Sequence, residues 1–179
     1  MIVGGEPYPI QTDFRAGIAY CVKLLSGGMT VHDFYSIWFP AGQPADLSAA
    51  QAAVNAFYRC GAEPKNENIP ASAPAYAFTA DSGAIIAAFQ REYGIDLTTE
   101  KLHWWRFSAL LDGLLTHSFS ERVQYRVCDP NEVKSKDLRA RYRKFKQQYA
   151  LDEHGQQRRQ PQTLEEYNEL LLRQARGEI

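Results

Sequence analysis

At 179 residues the chain has room for one domain, or for one domain with an appended segment. Its 45% hydrophobic content, with ten tyrosines, nine phenylalanines and three tryptophans, supports a sizeable core and excludes an intrinsically disordered chain. A formal charge of −1 exerts no overall pull toward nucleic acid or an acidic membrane.

Ile2-Val3, Gly4-Gly5 and Tyr8-Pro-Ile10 have the form of a small β-hairpin with a glycine turn. Pro7 and Pro9 restrict its second arm to an edge, because proline cannot donate to a ladder. Thr12 or Asp13 caps a first helix that runs to about Leu25 and stops at Ser26-Gly27-Gly28. Thr30 or Asp33 starts a short apolar segment through Trp38 and Phe39, read as a helix although its residues also suit a strand. Asp46 and Ser48 are N-cap candidates for an alanine-rich helix from Ala49 to Cys60, with Leu47, Ala50, Val54, Phe57 and Tyr58 on its inner face. Glu63 to Pro74 reads as a loop and as a site of mobility. Tyr76 and Phe78 are expected to dock on the core, and Asp81 or Ser82 to cap a helix through Tyr93.

Gly94 is placed to end that helix in the left-handed conformation that only glycine takes without penalty. Asp96, Thr98 and Thr99 are N-cap candidates for the next helix, with Thr98 favoured and Glu100 in its first turn. This central helix carries Leu102, Trp105, Ala109 and Gly113 on one line, widened by Leu110, Leu111, Leu114 and Leu115. Trp105 is therefore expected to be more buried than Trp104. Ser118 or Ser120 begins a short helix with Val123 and Val127, broken by Pro130. Asn131 to Ala150 reads as a long helix with Val133, Leu138, Tyr142, Phe145 and Tyr149 on one stripe. Residues 152–162 read as a polar linker. Thr163-Leu-Glu-Glu166 is a capping box opening a final amphipathic helix to Gly177, with Leu164, Tyr167, Leu171 and Ala175 along one side and Leu170 adjacent. The expected fold is mainly α: a multi-helix orthogonal bundle over residues 1–151, with a small N-terminal β-hairpin, and an appended C-terminal helix at 163–177.

Cys21, Cys60 and Cys128 are odd in number, far apart and without a Cys-x-x-Cys, so they read as buried thiols in a reducing compartment. The N-terminus does not read as a signal peptide, and no apolar run is long enough to span a bilayer. A soluble intracellular protein is expected, with no membrane partner. No Gly-rich phosphate loop and no Gly-x-Ser-x-Gly elbow appears, and His32, His103, His117 and His154 sit in no recognisable catalytic motif. Glu100 and His103 have the Glu-x-x-His spacing of di-iron bundles, but the second copy that such a site needs is missing. The expectation is no catalytic residue, no metal and no cofactor. The one electrostatic feature lies between Lys134 and Arg159, with nine basic and three acidic residues. Lys134, Lys136, Arg139, Arg141, Arg143, Lys144 and Lys146 are candidate phosphate contacts, interleaved with Tyr142, Phe145 and Tyr149. An amphipathic helix with a charged outer face has the same pattern, and no DNA-reading motif accompanies it, so nucleic acid is disfavoured as a partner.

Several segments resemble a known family. They are Tyr8-Pro-Ile-Gln-Thr-Asp-Phe14 and Phe89-Gln-Arg-Glu-Tyr-Gly-Ile-Asp-Leu97, then Leu102-His-Trp-Trp-Arg-Phe-Ser-Ala-Leu-Leu-Asp-Gly-Leu114. Arg126 and Lys144-Phe-Lys-Gln-Gln-Tyr-Ala-Leu151 complete the pattern. Together they resemble the bacteriophage gene-product-fifteen family of tailed phages and prophages of Gram-positive bacteria, over about residues 1–151. The family's genes typically lie between those of the major tail protein and the tape-measure protein. The resemblance thus implies a non-enzymatic tail-assembly chaperone in the bacterial host cytoplasm, binding the tape-measure or tail-tube protein, with self-association an open alternative. A structural tail or connector protein retained in the virion is the second reading. A nucleic-acid-binding accessory protein using residues 134–146 is the third. Trp104, Tyr142, Phe145, Leu164, Tyr167 and Leu171 are the side chains expected to meet the partner.

Overall fold

A computed structural model describes residues 1–63, 74–115, 117–152 and 154–157, together with Arg173 and Arg176. The loop expected between Glu63 and Pro74 falls almost wholly outside the described residues, as does the C-terminal helix expected from Thr163. Among the described residues there are seven α-helices, one 3-10 turn and a two-stranded antiparallel sheet. None of these helices is long and apolar enough to cross a membrane.

Strands β1 (Ile2–Val3) and β2 (Glu6–Pro7) pair Ile2 with Pro7 and Val3 with Glu6. Gly4 and Gly5 both have positive φ, which the tight turn requires. The second arm thus begins earlier than the expected Tyr8–Ile10, although Tyr8 still exchanges two hydrogen bonds with Met1. Helix α1 (Phe14–Leu25) starts at Asp13, whose side chain accepts the Arg15 N–H. Helix α2 (Val31–Trp38) opens with a capping box between Thr30 and Asp33. Its hydrogen bonds settle the helix-or-strand ambiguity of Val, Tyr, Ile and Trp. Helix α3 (Leu47–Tyr58) is capped by Asp46. Helix α4 (Phe78–Tyr93) ends at Gly94, which has φ +66°.

The central helix departs from the sequence reading. Asp96 accepts the N–H and hydroxyl of Thr98, closing a separate turn over residues 96–100. Helix α5 (Trp104–Asp112) starts later, with His103 as its N-cap. Leu102 therefore lies outside the helix and does not set its stripe; the buried face is Trp104, Phe107 and Leu111, and Trp105, Ala109 and Leu115 are exposed. Helix α6 (His117–Val127) begins just before Ser118, and its Val127 points to solvent. The expected long helix from Asn131 is divided: a 3-10 turn (Pro130–Glu132) precedes helix α7 (Lys136–Gln148), because Ser135 caps a fresh start. Leu138, placed on the inner stripe by periodicity, is exposed.

Two apolar clusters share one wall. The first joins Phe14, Phe78, Ile85, Phe89, Trp104, Phe107, Leu111 and Phe119. The second joins Val3, Tyr20, Phe34, Trp38, Phe39 and Val54. Helix α1 contributes Phe14 to the first and Ala16 and Tyr20 to the second, while Phe57 and Tyr58 of α3 pack against both. Gly17 lets α1 approach α5: a Cβ there would lie 2.6 Å from Cδ2 of Trp104. The backbones of Thr12–Phe14 and Leu102–Trp104 also exchange two hydrogen bonds, so the two helices start side by side.

Candidate functional site

Trp104 and Trp105 divide their work because consecutive helical residues point about 100° apart. Trp104 is 4% exposed. It stacks on Tyr58 at 4.8 Å and donates its indole N–H to the Tyr58 carbonyl at 2.7 Å. The expectation that Trp104 presents a surface to a partner is therefore corrected: it is core. Trp105 is 44% exposed, against the expected order of burial. Its indole N–H donates to the Phe57 carbonyl at 2.8 Å, and its ring tilts against Phe57 at 5.8 Å. Beside it lies an open apolar groove of about 420 Å³, lined by Met1, Ile10, Thr12, Ala56, Phe57 and Gly61. A groove of this kind accepts apolar side chains from an amphipathic segment.

His103 cannot serve the Glu-x-x-His reading without losing its structural task, since its Nδ1 accepts the Trp105 N–H at 3.2 Å. Among the described residues, no group of three or more His, Cys, Asp or Glu could hold a metal ion. Cys21, Cys60 and Cys128 are free thiols and half-buried rather than fully enclosed as expected. Burial raises the pKa of Tyr58 well above its ordinary value and pushes Tyr76 up to about 12, so both phenols stay neutral.

The strongest polar constellation escaped the sequence reading. Asp81 was expected to cap α4; it lies instead inside the first turn and is fully buried. Arg126, whose side chain is 6% exposed, forms a fork to it, with Nη1–Oδ2 at 2.6 Å and Nη2–Oδ1 at 3.0 Å. Asp81 Oδ2 also accepts the Ala77 N–H. Arg126 donates further to the carbonyls of Ala75 and Tyr149. Arg122 stands 3.6 Å from Asp81 and lies over the Tyr149 ring. One guanidinium thus ties α4, α6 and the end of α7 together, using the planar donor geometry that arginine provides. Its sequence signal was weak, because a single Asp and a single Arg 45 positions apart carry no local pattern.

The seven cations of residues 134–146 do not act alike. Arg139 donates to the Val133 carbonyl, Lys146 to the Cys128 carbonyl and Arg143 to the Asn131 side chain. Arg141 sits over the Phe145 ring at 5.6 Å. Lys134, Lys136 and Lys144 are exposed. Tyr142, Phe145 and Tyr149 pack on Tyr125 of α6, so the aromatic stripe holds the helix to the body. The remaining expected partner contacts, Leu164, Tyr167 and Leu171, lie outside the described residues.

The expected linker is partly anchored. Leu151 is buried and bridges to Gln157. His154 Nδ1 lies 3.0 Å from the Leu25 carbonyl, and the Thr79 hydroxyl donates to the Gly155 carbonyl. Gly155 has φ +72°, and a Cβ there would stand 2.9 Å from that of Ala77.

No curated protein and no solved structure gives a significant match to the chain. The family model described as Bacteriophage Gp15 protein matches residues 54–151, more than half of the chain. The matched span holds Asp81 and Arg126, both α5 tryptophans and all of α7, and on this evidence the chain belongs to the Bacteriophage Gp15 protein family.

Proposed function

We propose that this phage protein is a non-enzymatic tail-assembly factor: a chaperone that holds the tape-measure or tail-tube protein in the host cytoplasm before the tail is built. Membership in the Gp15 family carries the reading, since the genes of that family typically lie between those of the major tail protein and the tape measure. The groove beside Trp105 supports it, as an exposed apolar surface next to an anchored aromatic ring. A long helical client would bury the apolar face of one helix there. Phe57 backs that surface, packed between the rings of Trp38 and Trp105.

Co-expression with the neighbouring tape-measure protein tests the reading. The client should become more soluble and co-purify, and Trp105→Ala should weaken that association while leaving the fold intact. A client no more soluble, with no co-purification, refutes it. Mass spectrometry of purified particles separates the chaperone from a structural tail or connector protein, because a chaperone is absent from the virion.

A further inference from the structure

We propose that the outer face of α7 is a docking surface for the acidic face of a helix from a protein partner. The inference does not depend on the tail-assembly reading, since no residue of α7 lines the groove beside Trp105. Helix α7 buries none of its residues, and its 13 positions carry six cations against the single carboxylate of Asp137. Its aromatic side is held on Tyr125 through Tyr142, Phe145 and Tyr149. Opposite that side, Lys136, Ala140, Arg143, Lys144 and Gln147 fall on one exposed strip.

The stability of the helix does not account for this strip. Arg139 and Arg143, and Arg141 and Lys144, are like charges one turn apart and repel. Among the described residues, none of the α7 cations pairs with a carboxylate. Lys136 opens the helix and Lys134 stands just before its Ser135 cap, where the positive end of the macrodipole disfavours cations. A face made only for solvent alternates the two signs along the helix. An anionic partner relieves all of these repulsions at once.

Charge and shape select the kind of anion. Residues 134–146 hold seven cations and one carboxylate in a chain of formal charge −1, so the rest of the chain is net negative by seven. Asp129 and Glu132, in the turn leading into α7, are exposed. A long polyanion such as a nucleic-acid duplex meets that negative remainder beyond the ends of a helix of about 20 Å, whereas a short acidic helix does not. The rings that could stack on bases are already packed against Tyr125. Lys136 and Arg143 lie about 10 Å apart along the axis, which is also the repeat of carboxylates seven residues apart on a partner helix. Ala140 stands between them and leaves room for close approach.

The test uses the full chain and two fluorescent probes. One is an alanine-based helical peptide of about three turns with glutamate at i, i+4 and i+7; the other is a DNA duplex of about 20 base pairs. The glutamate peptide should bind and its glutamine counterpart should not, and affinity should fall at least about fivefold between about 50 and about 200 mM salt. Amide shifts on binding should fall on residues 136–147. Lys136→Glu and Lys144→Gln should each weaken the peptide at least about threefold, while Lys101→Gln leaves it unchanged. Lys136→Glu should also melt no lower than the parent, because it removes a cation from the positive pole. A duplex bound more tightly than the peptide at physiological salt would reassign the face to nucleic acid and overturn the proposal. Absence of peptide binding, binding indifferent to both variants, or shifts confined to the Trp105 groove would overturn it as well. A Lys136→Glu variant that melts well below the parent would show that the lysine serves the fold and refute the argument from repulsion.

Discussion

Replacing Arg126 with methionine removes the guanidinium while retaining much of the side-chain length. Two charge-assisted bonds to Asp81 disappear, together with the donors to the Ala75 and Tyr149 carbonyls. Asp81 stays fully buried and keeps the Ala77 N–H, with Arg122 as the remaining cation at 3.6 Å. Removing one member of a buried ion pair costs about 3–5 kcal/mol, because the other charge is left desolvated. Each lost backbone hydrogen bond adds about 1 kcal/mol, and the partly exposed Arg122 offsets some of the total. The expected loss is about 4 kcal/mol, a large share of the roughly 5–15 kcal/mol that holds a domain folded. Urea unfolding followed by far-ultraviolet circular dichroism measures it, with unchanged slope as the check that the unfolded state is comparable. Asp81→Leu combined with Arg126→Met should be less destabilised than the two single losses added together, by about 2–3 kcal/mol. A loss below about 1 kcal/mol for Arg126→Met, or simple additivity in the double variant, would refute the reasoning that this pair is insulated and coupled.

Gly17→Ala should destabilise by about 1–3 kcal/mol through overpacking on Trp104, reversing the gain of about 1 kcal/mol usual for that change within a helix; thermal melting gives the sign. Trp104→Ala should cost about 3–5 kcal/mol and Trp105→Ala markedly less, and equal shifts in urea midpoint would contradict the burial difference. The Thr30 hydroxyl, then the Thr30 N–H and Lys23, hold the Asp33 carboxyl down at about 2. Because the folded value lies below the ordinary one, this stabilisation is present above about pH 4 and is lost as the pH falls toward 2. A carbon-detected titration of Asp33 should place its midpoint near 2, and a midpoint near 4 would show that the capping box is open in solution.

Local signals carried most of the helix starts. Asp13, Thr30, Asp46 and Gly94 act through groups within a few residues, so their roles were legible without tertiary information. Tyr76 and Phe78 also dock as their composition suggested. The central helix was misread because Asp96, Thr98 and Thr99 satisfy one another in a turn, while the true cap is a histidine, outside the usual capping residues. That error propagated to the tryptophans, since Leu102, which had aligned the inner stripe with Trp105, precedes the helix and does not share its periodicity. Asp81 was misread for a different reason: its partner arrives from α6, and no sequence window contains both. The basic helix was legible as a pattern, but the commitment of Arg139 and Lys146 to backbone carbonyls depends on how the chain turns at 128–133.

The close crossing of α1 and α5 constrains how this protein can be dissected and how it can diverge. Gly17 precedes the family-matched span, whereas Trp104, the ring laid against it, belongs to that span. A fragment beginning at Val54 would bare the Trp104 face and remove Phe14 from its stack on Phe107. A fragment that keeps this crossing must consequently begin before Asp13, although the family model matches only from residue 54. In related sequences that retain this crossing, a larger residue at the position of Gly17 should arrive with a smaller one at that of Trp104. The contact between Gly17 and Trp104 thus joins a residue outside the family-matched span to one inside it, and the two sides can change only together.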